Sequence, residues 1–344
     1  MNRKDPQTLF KEAERLRLRS RFTEALTLYE KALKLADTEE LKLNCLLSLA
    51  DTLRLTGDFR RAYRLYLKAS KLSERLLLEE EYADSLTGCG LSLRALGRWR
   101  EALEFLHAAY DVYKDNGDYQ GVAFTLWAEA GTYRIKGEPK EALKRFRKAK
   151  RLFEAMEDKK GIAYCLTGLG GSLRVSRRYK DSLEHYTMAN TLFRSLRDTF
   201  GIAYSYCGIA NALRMKGKFK EALRYFRLAT RNYKKIGDKV SYAYTLWGEA
   251  MVFIQLGSLD EAEKDLELAK TLFKETGDER GIIYYLIATA QIEFLKGRKK
   301  GALRLLERAL KKATTFEFAI EKGYTETLLS AIKEKPEKLP LNLP

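Results

Sequence analysis

Gly97-Arg-Trp99-Arg-Glu-Ala102-Leu-Glu-Phe105-Leu-His-Ala-Ala109-Tyr110 decides the fold, because its opening, Gly-x-aromatic-x-x-Ala, returns along the chain at a constant interval of 40 residues. The same signal reads Gly57-Asp-Phe59 with Ala62, Gly137 with Ala142, Gly217-Lys-Phe219 with Ala222, Gly257-Ser-Leu259 with Ala262, and Gly297 with Ala302. Two copies are degenerate: Arg177, Tyr179 and Ser182 stand in one, Ser20, Phe22 and Ala25 in the other. Eight repeats follow, spanning about 5–40, 41–80, 81–120, 121–160, 161–200, 201–240, 241–280 and 281–315.

A second punctuation, Gly117-Asp118, Glu157-Asp158, Arg197-Asp198, Gly237-Asp238 and Gly277-Asp278, divides one repeat from the next, so each repeat holds two elements. Within them the apolar residues fall at helical spacing, as in Ala102, Leu103, Phe105, Leu106, Ala109 and Tyr110, and no segment alternates as a strand does. Acidic residues open the second helices (Glu101, Glu141, Asp181, Glu221, Glu261), where the positive end of the helix dipole favours them. Pro139 stands at a helix start, where its missing N–H costs nothing. The chain is therefore expected to be all-α. A two-helix unit cannot bury both apolar stripes alone, so the repeats must stack as a solenoid with distinct concave and convex faces.

This pattern resembles the tetratricopeptide repeat, in a 40-residue form similar to Pins-type, Rap-type and MalT-type repeats, and the resemblance runs from about Gln7 to Phe316. It implies a right-handed α-α superhelix that binds ligands along a concave groove lined by the first helix of each repeat. Residues 316–333 read as a capping helix, making 1–333 one solenoid, and residues 334–344, with Pro336, Pro340 and Pro344, read as a flexible tail. No DNA-binding, kinase or enzymatic domain fits beside the repeats, which points to a stand-alone adaptor.

Composition narrows the function classes. The 344 residues carry 64 Lys+Arg against 47 Asp+Glu, a formal net charge of +17, with 45% hydrophobic residues and no apolar run long enough to span a membrane. Nothing marks the first residues for secretion, so the expected location is the cytoplasm. Asn and Gln together number only 11 while 32% of residues are charged, a balance that fits a heat-adapted protein. Cys45, Cys89, Cys165 and Cys207 form no CxxC pair, and His107 and His185 lie in different columns, so neither metal, cofactor nor catalytic chemistry is expected.

The candidate site is a set of columns. Three residues before each turn glycine stand Arg54, Arg94, Arg134, Arg174 and Arg214, with Arg17 in the degenerate first copy, then Ile254 and Phe294. Such a ladder suits carboxylates or phosphates through bidentate bonds, although an arginine also offsets a negative helix end or pairs with a neighbouring acid. Ten residues earlier stand Phe124, Tyr164, Tyr204, Tyr244 and Tyr284, with Trp127 and Trp247 on the same face; they either hold apolar ligand groups or pack between repeats. Asn211 completes the candidate set. Gly88, Gly168, Gly208 and Gly248, with Gly131 and Gly171, are expected to face the groove and to admit a neighbouring Tyr or a ligand backbone. Glu129 and Glu249 are acids at a core column, so each needs a partner or a raised pKa; they are candidate supports of the groove arginines.

The expected function is a non-catalytic scaffold or adaptor for an extended acidic or aromatic-containing segment of another protein. Two readings stay open beside it: a sensor of a signal peptide or small molecule, and nucleic-acid binding through a basic surface such as Lys140, Lys144, Arg145, Arg147, Lys148, Lys150 and Arg151. Self-association through the groove is a further route.

Overall fold

The computed structural model describes residues 5–19, 21–334 and 339–343. Among these it holds seventeen α-helices and no strand. Eight helix pairs follow one another: α1 (Pro6–Leu18) and α2 (Phe22–Leu35), α3 (Glu39–Thr56) and α4 (Phe59–Leu76), α5 (Glu79–Ala95) and α6 (Trp99–Asp115), α7 (Tyr119–Lys136) and α8 (Pro139–Ala155), α9 (Lys159–Val175) and α10 (Tyr179–Ser195), α11 (Thr199–Met215) and α12 (Phe219–Ile236), α13 (Lys239–Leu256) and α14 (Leu259–Thr276), α15 (Glu279–Leu295) and α16 (Lys299–Thr315). The last helix, α17 (Ala319–Glu334), stands alone.

Helix ends follow the punctuation. Asp158, Asp198 and Asp278 each accept from backbone N–H groups of the first turn behind them, satisfying donors that the helix itself cannot. Gly57 closes α3 in the left-handed region (φ 94°), and the Asp58 N–H reaches back to the Leu53 carbonyl at 2.9 Å. Arg177 adopts the same conformation at φ 60° where the degenerate repeat lacks its glycine.

The helices pack as two compact units. One runs through Ala128 and includes Ile236–Asp238; the other comprises Glu129–Lys235 and the chain from Lys239 onward. In each unit, first helices lie beside the first helices of neighbouring repeats, as in α3 with α5, α9 with α11, and α11 with α13. The signature alanines, such as Ala62, Ala102, Ala222 and Ala262, are fully buried where paired helices approach. Ser182 takes this place in the degenerate copy and turns its hydroxyl onto the Gly170 carbonyl at 2.8 Å.

The glycine column locks repeat to repeat. A Cβ at Gly208 would stand 2.1 Å from the Tyr186 ring, one at Gly168 2.2 Å from Phe146, and one at Gly88 2.2 Å from Tyr66. These glycines admit the buried aromatic of the preceding second helix, so the expectation that they face the groove is corrected: they face the core between repeats, and their permissiveness serves close approach.

Candidate functional site

The arginine column divides according to the residue three positions before it and the residue twelve after it. Glu14 precedes Arg17 and Tyr29 follows it; Asp51 precedes Arg54 and Tyr66 follows it. The structure closes both sets into triads. Arg54 donates to Asp51 Oδ1 at 3.2 Å and to the Tyr66 hydroxyl at 3.3 Å, while that hydroxyl donates to Asp51 at 2.5 Å. Arg17 repeats this with Glu14 at 2.6 Å and Tyr29 at 3.2 Å. These two arginines are occupied by their own repeats. Arg94 has Leu91 before it; it donates to the Ala128 carbonyl at 3.3 Å and lies 5.6 Å from the Trp127 ring, which stacks on the partly exposed Phe124.

In the second unit the acids are gone. Arg134 follows Gly131, Arg174 follows Gly171 and Arg214 follows Asn211. Among the described residues no carboxylate lies within 4 Å of Arg134, Arg174 or Arg214. The Gly171 backbone makes room for Arg134, whose guanidinium nitrogen would stand 2.1 Å from a Cβ there. The Nε of Arg174 is buried without a hydrogen-bond partner. Arg214 is fully buried, a costly place for a guanidinium whose partners among the described residues, Asn211, Asn342 and Leu343, are neutral. Burial, followed by the nearby Arg174 charge, pushes its pKa down to about 9, so the group remains charged at neutral pH.

Around Arg214 the structure gathers several of the expected residues. Asn211 Oδ1 accepts from its guanidinium at 3.3 and 3.4 Å, and the Trp247 ring lies 5.3 Å away with its own N–H buried and unpartnered. Trp247 packs on Tyr284 at 4.7 Å, and Tyr284 meets Tyr244 at 6.1 Å. Tyr164 and Tyr244 are also tied to the following repeat, each hydroxyl donating at 3.3 Å to a helix-capping acid, Asp198 or Asp278. Tyr204 is half-buried on α11.

Sequence reasoning missed three contributors. Glu321 of α17 is fully buried and accepts from Arg280 at 2.7 Å and from the Tyr284 hydroxyl at 2.7 Å. Its signal was present: Glu321, Thr325, Leu328 and Ile332 form the buried stripe of α17, and one of them is an acid. Gln291 of α15, in the same column as Asn211, is buried too. The third is the trailing segment read as a flexible tail: Leu339–Leu343 lies against α11 and α15, with Asn342 and Leu343 on Arg214 and Pro340 and Leu341 on Gln291. The rest of the tail from 335 to 338, and residue 344, lie outside the described residues.

The two core-column acids diverge for a reason visible sixteen residues on. Glu129 meets Arg145 at 2.8 Å, and Arg145 stacks over Tyr133 and also pairs with Glu141. Thus Glu129 pairs with a second-helix arginine outside the groove column. Glu249 has Asp265 in that place. Burial and the Asp265 charge push Glu249 up to about 7, and burial pushes Asp265 up to about 6.

On the second helices, part of the basic run on α8 is neutralised by Glu129, Glu141 and Glu154. A more open basic cleft of about 590 Å³ follows α12 along Lys220, Arg224, Arg227 and Arg231. Among the described residues no group of three or more His, Cys, Asp or Glu is placed to hold a metal ion, and no helix is long and apolar enough to cross a membrane.

Tetratricopeptide-repeat models match residues 45–79, 81–155 and 162–235, together more than half of the chain, and a model of anaphase-promoting complex subunit 5 matches residues 205–296. No curated protein matches the sequence. Among solved structures the chain is similar to a Rap protein complexed with competence and sporulation factor, at 16% identity over 97% of this chain and 99% of that one, with a TM-score of 0.63. It is similar to the Rap conjugation gene regulator of the plasmid pLS20 in complex with a Phr peptide, at 14% identity over 92% and 98%, TM-score 0.68. It is also similar to NprR in complex with its cognate peptide NprX, at 17% identity over 96% and 100%, TM-score 0.60. At such identities the shared property is the fold.

Proposed function

The chain belongs to the tetratricopeptide-repeat family, and from that footing we propose that it is a non-catalytic peptide-binding scaffold or adaptor. Its working surface is the groove of the second unit, formed by the last turns of α7, which carry Arg134, and by the first helices α9, α11, α13 and α15. One observation carries the reading: Arg134, Arg174 and Arg214 lack the acid that occupies Arg17 and Arg54, so among the described residues these three cations have no carboxylate within 4 Å. An incoming acidic side chain or peptide carboxylate would supply the missing charge through charge-assisted bonds, each worth about 1.5–3 kcal/mol. Trp247, Tyr204, Tyr244 and Tyr284 supply apolar surface beside it, which suits an extended segment with aromatic or aliphatic side chains. Arg54, Arg94, Phe124, Trp127 and Tyr164 serve chiefly to build the repeats.

Sensing of a short signal peptide is the second reading, supported by the peptide complexes named for the Rap and NprR neighbours. Capture from a random extended-peptide library mixed with a random oligonucleotide pool, at low and high salt, separates these from nucleic-acid binding. The wild-type chain should enrich acidic peptides, and Arg134→Glu/Arg174→Glu should lose them. Enrichment unchanged by the charge reversal would refute the groove assignment, and retention of nucleic acid instead would move the function to the basic cleft along α12.

A further inference from the structure

Leu339–Leu343 crosses the first helices of the second unit in the direction opposite to the chain order of the repeats. The carbonyls of Pro340 and Leu341 accept from Gln291 Nε2 on α15, each at 3.2 Å. The next residue, Asn342, accepts through Oδ1 from Arg214 Nη1 on α11 at 2.5 Å, and its amide nitrogen donates back to the Arg214 carbonyl at 3.0 Å. The Leu343 carbonyl accepts from Arg214 Nη2 at 3.0 Å, and the Leu343 side chain is buried. Gln291, Arg214 and Asn211 are themselves buried and come from first helices. Backbone carbonyls read by an amide, one side-chain oxygen read by a guanidinium and a buried leucine next in sequence are together the features by which a groove recognises an extended peptide.

We propose that Arg214, Asn211 and Gln291 form a subsite for a short extended peptide bearing Asn or Asp followed by Leu, and that Leu339–Leu343 is its built-in occupant, which an incoming peptide must displace. This inference rests on the reading of the groove as a peptide site and names the ligand it takes. Among the described residues the occupant offers Arg214 two neutral oxygens, of Asn342 and Leu343, so a peptide with Asp in the place of Asn342 binds more tightly than the occupant's own sequence. Four residues separate Leu339 from the end of α17. Because the occupant belongs to the same chain, its binding is intramolecular, and a free peptide must compete with a high effective concentration. The occupied groove is thus closed to weak ligands and open to those that bring a carboxylate.

Two measurements on the full chain test this. In Leu343→Cys, maleimide labelling read at residue 343 by mass spectrometry should be at least tenfold slower than at the exposed site in Ser330→Cys, and should accelerate at least tenfold when Arg214→Ala/Gln291→Ala is added. In parallel, a fluorescein-labelled peptide Leu-Pro-Leu-Asn-Leu should bind Asn342→Ala/Leu343→Ala at least tenfold more tightly than wild type, and its Asp analogue more tightly again. Labelling at 343 as fast as at 330 overturns the inference, as does equal binding of the peptide to both chains or no binding to the tail-weakened one. The labelling rate needs no external ligand. A seated segment with failed library capture would count against the scaffold reading alone; a free segment with Arg134- and Arg174-dependent capture would count against this inference alone.

Discussion

Removing the Glu321 carboxylate should release α17 from its neighbours without unfolding the repeats. Glu321 is fully buried and accepts from Arg280 and Tyr284, both at 2.7 Å. Burial alone would lower the Arg280 pKa, yet the carboxylate and the neighbouring tyrosines hold it well above its ordinary value. Glu321→Ala therefore strands a guanidinium that is only 19% exposed. Breaking such a pair from one side costs about 3–5 kcal/mol. The apolar docking of α17 rests on Leu328 and Ile332, both buried, which contribute about 3–6 kcal/mol together. The loss is as large as the docking itself, so the effect is local. Hydrogen exchange should show protection in Ala319–Glu334 falling roughly a hundredfold or more, with α13 little changed, and Lys322→Ala, at an exposed site, close to wild type. Unchanged protection of α17 in Glu321→Ala would refute the reasoning.

Further outcomes follow from packing and charge. Gly208→Ala should destabilise the second unit by about 1–3 kcal/mol, because the new methyl meets the buried Tyr186 ring, and denaturant unfolding with and without Tyr186→Leu measures whether relief of that ring restores stability. Stability should fall as pH rises from about 4.5 through about 7, since the raised pKa values of Glu249 and Asp265 mean that the folded state holds protons the unfolded chain has lost. After allowance for solvent screening the Glu249 share is about 1–2 kcal/mol. Asp265→Arg, which recreates the Glu129–Arg145 arrangement, should remove most of that dependence; a pH profile identical to wild type would contradict it.

The helices, their pairing and their ends were legible in the sequence because the 40-residue period repeats the same local physics: a capping acid, an apolar stripe, a turn glycine and a small residue at the crossing. The site was only half legible. One column of arginines looked uniform, yet its members differ in what precedes and follows them. Glu14 with Tyr29, and Asp51 with Tyr66, close around Arg17 and Arg54, whereas Gly131, Gly171 and Asn211 leave their arginines without an acid. That distinction lies in the joint reading of three columns rather than in any one. The placement of Leu339–Leu343 had no periodic signal, since an extended segment held by carbonyl and amide contacts needs no apolar repeat. The aromatic column left two roles open, ligand contact and packing between repeats, and no single column separates them: a tyrosine can serve the next repeat through its hydroxyl, as Tyr164 does with Asp198.

The most direct test of the central claim is the affinity of acidic extended peptides, taken from library capture, for wild type and for Arg174→Met measured side by side by fluorescence anisotropy. Methionine keeps much of the side-chain bulk and removes the charge. If the acid-free arginines of the second unit are the peptide-binding cations, Arg174→Met weakens binding about tenfold or more, and raising the salt narrows the difference. Equal affinities at both salt concentrations would contradict the account.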